Sequence, residues 1–208
     1  ANFSYVKNLL SKAKTARQKH EGEISEAYSY TYPDRDIWNN PDTTVDRNKI
    51  YDNTALESVA NLTSTVLSLL IPQNQQWAYI DVRSEVKSKI APDIRRMLDT
   101  ANKTVFNTLK NSNFYVAAGE SITDCIISGT GAICVMNPLR GNGMDFMSIP
   151  TSQLYFLANY KDDIDVVFRE HELSAQSIFE RYGDQTPDLL EIAKKDPEKK
   201  IPVLEAVF

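Results

Sequence analysis

The hydrophobic period of this 208-residue chain changes once, at Gly129-Thr130-Gly131. Ahead of that triplet, apolar residues return every three or four positions; behind it they return every second position. Those are the repeats of a helix face and a strand face. A chain with its helices first and its strands afterwards does not read as alternating βαβ units. The expected class is therefore α+β: a helical N-terminal half, then a small, mostly antiparallel sheet and short helices.

The periodicity places the elements. Val6, Leu9, Leu10, Ala13, Ala16, Ile24, Ala27 and Tyr28 mark helix from Phe3 to about Tyr30, and Gly22 leaves open one bent helix or two. Pro33 and Pro41 bracket a polar loop, residues 34–53, that carries Trp38. A loop of that length is uncommon in a compact domain and suits an interaction segment. Thr54 with Glu57 reads as a capping box for a helix bearing Leu56, Val59, Ala60, Val66, Leu67 and Leu70 and ended by Pro72. Apolar on most of its circumference near its end, that helix is expected to be buried, and Leu67→Ala to cost roughly 2–5 kcal/mol. Residues 77–82 read as a strand. Pro92 opens a helix with Ile94, Met97, Leu98, Ala101, Val105 and Leu109 on one stripe. Another, from Tyr115 to Ser128, closes on Gly129. Strands follow over 132–136, 144–149, 153–159 and 164–169, with turns at Arg140-Gly141-Asn142-Gly143 and Lys161-Asp162-Asp163. Ser174 caps a short helix running to Gly183, Pro187 opens another to Lys195, and residues 201–208 read as a strand reaching toward structure outside the chain. The expected division is a helical segment and long loop over 1–53, then an α+β domain over 54–208.

Chemistry is sparse. No apolar run approaches the roughly 20 residues of a membrane-spanning helix, and residues 1–20 hold no continuous apolar stretch of a signal peptide. Net charge is −5, unevenly spread: +5 over residues 1–20 and −5 over residues 151–208. An acidic chain is a poor grip for phosphate, so the candidates for phosphate contact are confined to the first helix, at Lys12, Arg17 and Lys19. A DNA-binding domain built on that helix is one alternative function. Cys125 and Cys134 are read as small core residues, and His171 as a surface residue at a strand end. Asp162, Asp163 and Asp165 read as a charged turn rather than a cation loop. The two glycines around Thr130 follow a helix, the reverse of a phosphate loop, and read as a tight helix-to-strand connection. A second alternative is an enzyme or ligand module whose polar centre gathers Glu120, Asp124, His171 and Glu172 only in three dimensions. No catalytic, metal or cofactor motif emerges, and no cofactor is expected.

Several blocks together resemble the portal, or head-to-tail connector, proteins of short-tailed bacteriophages. They are Leu56 to Leu62 with Leu69-Leu70-Ile71-Pro72 and Trp77; Asn111 to Phe114 through Glu120 and Asp124 to Gly129-Thr130-Gly131; Phe146 to Pro150, Tyr155 and Asp165 to Glu170; and Leu173 to Gln176 with Phe179 to Gly183. Arg17, Glu26, Tyr30 and Pro33 keep the family's order. The resemblance implies a structural ring subunit, dodecameric, at one capsid vertex of the virion and in the host cytoplasm during assembly. It further implies double-stranded DNA passing through the channel during packaging and ejection. Partners would be the terminase, the major capsid protein and tail adaptor proteins, with no membrane. The chain then corresponds to an N-terminal, wing-like part without stem or clip. Ring contacts join two different faces of one subunit. Tyr30, Tyr32 and Trp38, aromatics outside any obvious core, are the candidate interface residues.

Overall fold

A computed structural model describes residues 3–35, 50–82, 91–138, 143–183, 192 and 194–208. Among them the order is α1 (Phe3–Gln18), α2 (Glu21–Thr31), α3 (Thr54–Leu70), α4 (Pro92–Asn111), α5 (Phe114–Ser128), β1 (Ala132–Met136), β2 (Asp145–Ile149), β3 (Leu154–Ala158), β4 (Ile164–Ser174), α6 (Ala175–Tyr182) and β5 (Lys200–Val207). A single 3₁₀ turn, Thr151–Gln153, precedes β3. The fold is α+β, but its strands form two antiparallel sheets, β1-β2 and β3-β4-β5. Trp38 and most of its loop, residues 140–142 of the first turn, and most of the helix expected after Pro187 lie outside the described residues. The chain divides into two compact units, residues 52–149 and residues 1–51 with 150–208. The second of the two breaks along the chain, after Ile149, separates the two sheets.

In the unit of residues 52–149, an aromatic cluster does most of the joining. Trp77 stacks on Phe114 at 6.0 Å and meets Phe106 edge-on at 5.5 Å, while Phe114 meets Phe146 of β2 at 5.1 Å. Asn113, just ahead of α5, donates from Nδ2 to the Phe146 carbonyl (2.6 Å) and accepts from the Phe146 N–H (2.9 Å). The side-chain amide thus acts as a backbone partner that ties the helix start to β2. At the far end Gly129 adopts φ +77°, and its N–H closes the helix on the Cys125 carbonyl at 2.9 Å. Gly131 is required for a different reason. A Cβ there would collide with the Ser121 carbonyl oxygen and stand 2.7 Å from its hydroxyl. Helix-to-strand reversal at this triplet therefore follows the sequence reading.

Three expectations for this unit need correction. Thr54 does not cap α3: it is the first helical residue, and its N–H donates to the Asp52 carboxylate (2.9 Å), which these hydrogen bonds hold below the usual carboxylate range. Nor is α3 buried around its end. It meets α5 through Thr63, whose hydroxyl lies 3.2 Å from that of Thr123, and through half-buried Leu67 over Gly119. Leu69 and Leu70 are 74% and 65% exposed. One contacting helix covers one stripe, and the other apolar faces stay open. Residues 77–82 form no strand; the partner of their backbone is a side chain, Asn102, which accepts from the Ile80 N–H (2.7 Å) and donates to its carbonyl (3.0 Å). The stripe on α4 is real from Leu98 onward, whereas Ile94 and Met97 are exposed.

The other unit is layered. Alternation along β4 puts Val166 and Phe168 on one face, where they form a core with Leu10 and Ala13 of α1. Tyr155 and Leu157 of β3 and Leu204 and Ala206 of β5 pack around that core. Phe168 is fully buried. Arg169 and His171 alternate onto the opposite face, the side on which Arg181 and Tyr182 of α6 meet Glu205 of β5. Ser174 caps α6 as expected, its hydroxyl accepting from the Ser177 N–H. The helical run from Phe3 is two helices, broken at Lys19 and His20 just ahead of Gly22. The turn between β3 and β4 is built without glycine. Asp162 takes φ +61°, and the Asn159 side chain accepts from the Lys161 N–H at 2.8 Å. Finally, the last strand, β5, pairs antiparallel with β4 from Val167↔Val207 to Ser174↔Lys200.

Candidate functional site

The basic first helix is largely turned to structural use. Arg17 is the clearest case. Its Nη1 donates to the Ser152 and Leu154 carbonyls, both at 2.8 Å, its Nη2 pairs with Glu21 at 3.1 Å, and its guanidinium lies over the Tyr155 ring. Lys14 shares that ring and pairs with Glu170 at 2.6 Å. These contacts fasten α1 to the sheet, with Arg17 satisfying carbonyls at the start of β3. Lys12 and Lys19 occupy exposed positions. Of the aromatic candidates, Tyr30 is 41% and Tyr32 37% exposed, and Trp38 lies outside the described residues. Their neighbour Tyr28 faces inward, its hydroxyl 3.2 Å from that of Thr151.

The polar residues suggested as an enzyme centre fall into two pairs, one in each compact unit. Glu120 and Asp124 are one turn apart on α5, with Asp124 fully buried. His171 and Glu172 are consecutive on β4 and so project to opposite faces. Glu172 is half exposed, 4.0 Å from Lys200. The surface reading of His171 is overturned: its side chain is only 5% exposed, because the strand continues past Arg169 to Ser174 and α6 meets this sheet face. The core reading of the cysteines fails too. Cys125 is exposed and Cys134 half-buried, since β1 forms only a two-stranded sheet and part of α5 is open. Among the described residues no group of three or more His, Cys, Asp or Glu is placed to hold a metal ion. None of their helices is long and apolar enough to cross a membrane.

The most connected polar cluster is one that sequence reading missed. Glu205 lies opposite Arg169 in the β4–β5 register and pairs with its Nη1 at 3.3 Å. The same carboxylate accepts from the Tyr182 hydroxyl at 3.1 Å and lies 3.6 Å from Arg181 Nη1. Arg169, 10% exposed at its side chain, also donates from Nε to Gln153 at 3.1 Å. Burial pushes the Tyr182 hydroxyl above its ordinary pKa. His171 completes the group, with Nε2 3.7 Å from Glu205 Oε2 and without a hydrogen-bond partner. Burial, then the charge of Arg169, holds its imidazole below the ordinary histidine value, outweighing the attraction of Glu205. The sequence signal for the cluster is parity: Arg169 and His171 share a strand face, but their partner Glu205 lies far along the chain, and only the register identifies it.

Apolar exposure is the broader feature. Eleven hydrophobic residues are buried among the described residues, against twenty-one large hydrophobic residues that are exposed. Leu56, Leu62, Leu69 and Leu70 of α3 and Ile94 and Met97 of α4 belong to the second group. No curated protein matches the chain. The profile of one family, bacteriophage head to tail connecting protein, matches residues 4–208. With a match over nearly its whole length, and with blocks of resemblance distributed through both compact units, the chain belongs to the bacteriophage head-to-tail connecting protein family.

Proposed function

We propose that the chain is the wing-like part of a portal subunit. Twelve copies would ring one capsid vertex and form the conduit through which double-stranded DNA is packaged and ejected. The family supports the coarser statement, a structural connector of the phage particle. The observation that carries the finer reading is the excess of exposed over buried large apolar side chains, since a ring subunit must keep two different faces ready for its neighbours. Neighbouring copies are the first partners; the major capsid protein, terminase and tail adaptor proteins are the others. Tyr30, Tyr32 and Trp38 are proposed at subunit contacts, and Lys12 and Lys19 as the residues of α1 placed for phosphate.

Negative-stain microscopy of the full-length protein tests the reading. Rings with a central hole are expected, and a monodisperse monomer at high concentration would overturn it. Trp38→Ala in the same protein is expected to weaken ring formation while leaving the subunit's unfolding midpoint in place. Normal rings built from a destabilised subunit would instead assign Trp38 to internal packing.

A further inference from the structure

We propose that His171 is the proton-sensitive element of a latch fastening β5 and α6 to β4, closed while the imidazole is neutral and released when it is charged. The geometry is a single carboxylate shared by three elements. Glu205 projects from β5; Arg169 and His171 face it from β4; Arg181 and Tyr182 face it from α6. These are the charged and titratable groups gathered on that face among the described residues, with Gln153 as a neutral acceptor for Arg169. Among the described residues, two guanidinium groups already lie beside that one carboxylate. A third cation at His171, whose side chain is 5% exposed, would lose its hydration beside two guanidinium groups, facing a quarter-exposed carboxylate that Arg169 and Tyr182 already engage.

The neutral imidazole is tolerated with Nε2 unpartnered; the charged form is not. Relief comes by moving the imidazole into water, which requires Glu205 or α6 to give way. Because Glu205 joins β5 to both Arg169 and the end of α6, that movement loosens strand and helix together.

The sign follows from the depressed imidazole: the latch holds fully above the ordinary histidine value of about 6.5 and weakens as pH falls below it. Hydrogen exchange of the full-length protein, corrected for chemical exchange rates, reads it directly. Protection of residues 175–182 and 200–207 is expected to fall by up to about tenfold from about pH 7.5 to about pH 5.5, the limit for a group that titrates normally once released. The β1–β2 hairpin serves as the internal reference and is expected not to respond. His171→Gln, which cannot take the proton, is expected to abolish the response. An equal response in the variant, or none in the wild type, overturns the proposal.

Should the variant fail to fold, exchange at the imidazole C2 position in the wild type decides. His171 is expected to titrate below the ordinary histidine value of about 6.5, with a midpoint matching the loss of protection. Titration of His171 at or above that value would overturn the latch.

Discussion

At the scale of single residues, space and backbone angle decide more than residue type does. Gly22 and Gly131 show this. A Cβ at Gly22 meets nothing within 4 Å, whereas one at Gly131 runs into the Ser121 backbone. Gly22→Ala in α2 is therefore expected to stabilise by up to about 1 kcal/mol, and Gly131→Ala to destabilise by about 1–3 kcal/mol, both measured by urea unfolding. Equal effects would mean that the close approach to α5 is not rigid. Leu67 carries a revised expectation. Half-buried over Gly119 rather than enclosed, it should lose roughly 1–2 kcal/mol on truncation to Ala, not the amount proper to a core leucine. Sequence located that residue on the correct helix face, but its depth depends on how many elements cover the face.

At the scale of elements, side chains that stand in for backbone explain where the sequence reading and the structure part. Asn102 of α4 is buried, with its amide bound on both sides to Ile80. Asn102→Asp keeps an acceptor for the Ile80 N–H but sets a carboxylate against the Ile80 carbonyl. Stability is expected to fall by about 1–3 kcal/mol at neutral pH and to recover partly below about pH 4, where the acid protonates and donates again. Thermal unfolding against pH checks this, and a pH-independent loss would break the assignment. Strand identity over 77–82 was not readable from alternation alone, because alternation reports faces and not the partner. The opposite holds for β1 and α5, whose ends at Met136 and Gly129 were readable from glycine and from period.

At the scale of the whole molecule, the exposed leucines of α3 carry the prediction. Leu69→Ser with Leu70→Ser is expected to leave the subunit's unfolding midpoint within about 0.5 kcal/mol, since neither side chain is covered, while weakening assembly in sedimentation measurements. Loss of stability without loss of assembly would place those leucines in a core of the full-length protein instead. Sequence by itself determined the fold class, the order of the described helices and strands apart from residues 77–82, the reversal at Gly129-Thr130-Gly131 and the capping of α6, because each rests on patterns and contacts within a short stretch of chain. It also carried the family blocks. Only tertiary structure decided that Arg17 belongs to β3, that His171 is buried and that β5 closes on β4 through Glu205. Those facts depend on which distant strand supplies the facing side chain. A strand's pattern specifies that one of its faces is covered, but the register and the covering helix determine by what.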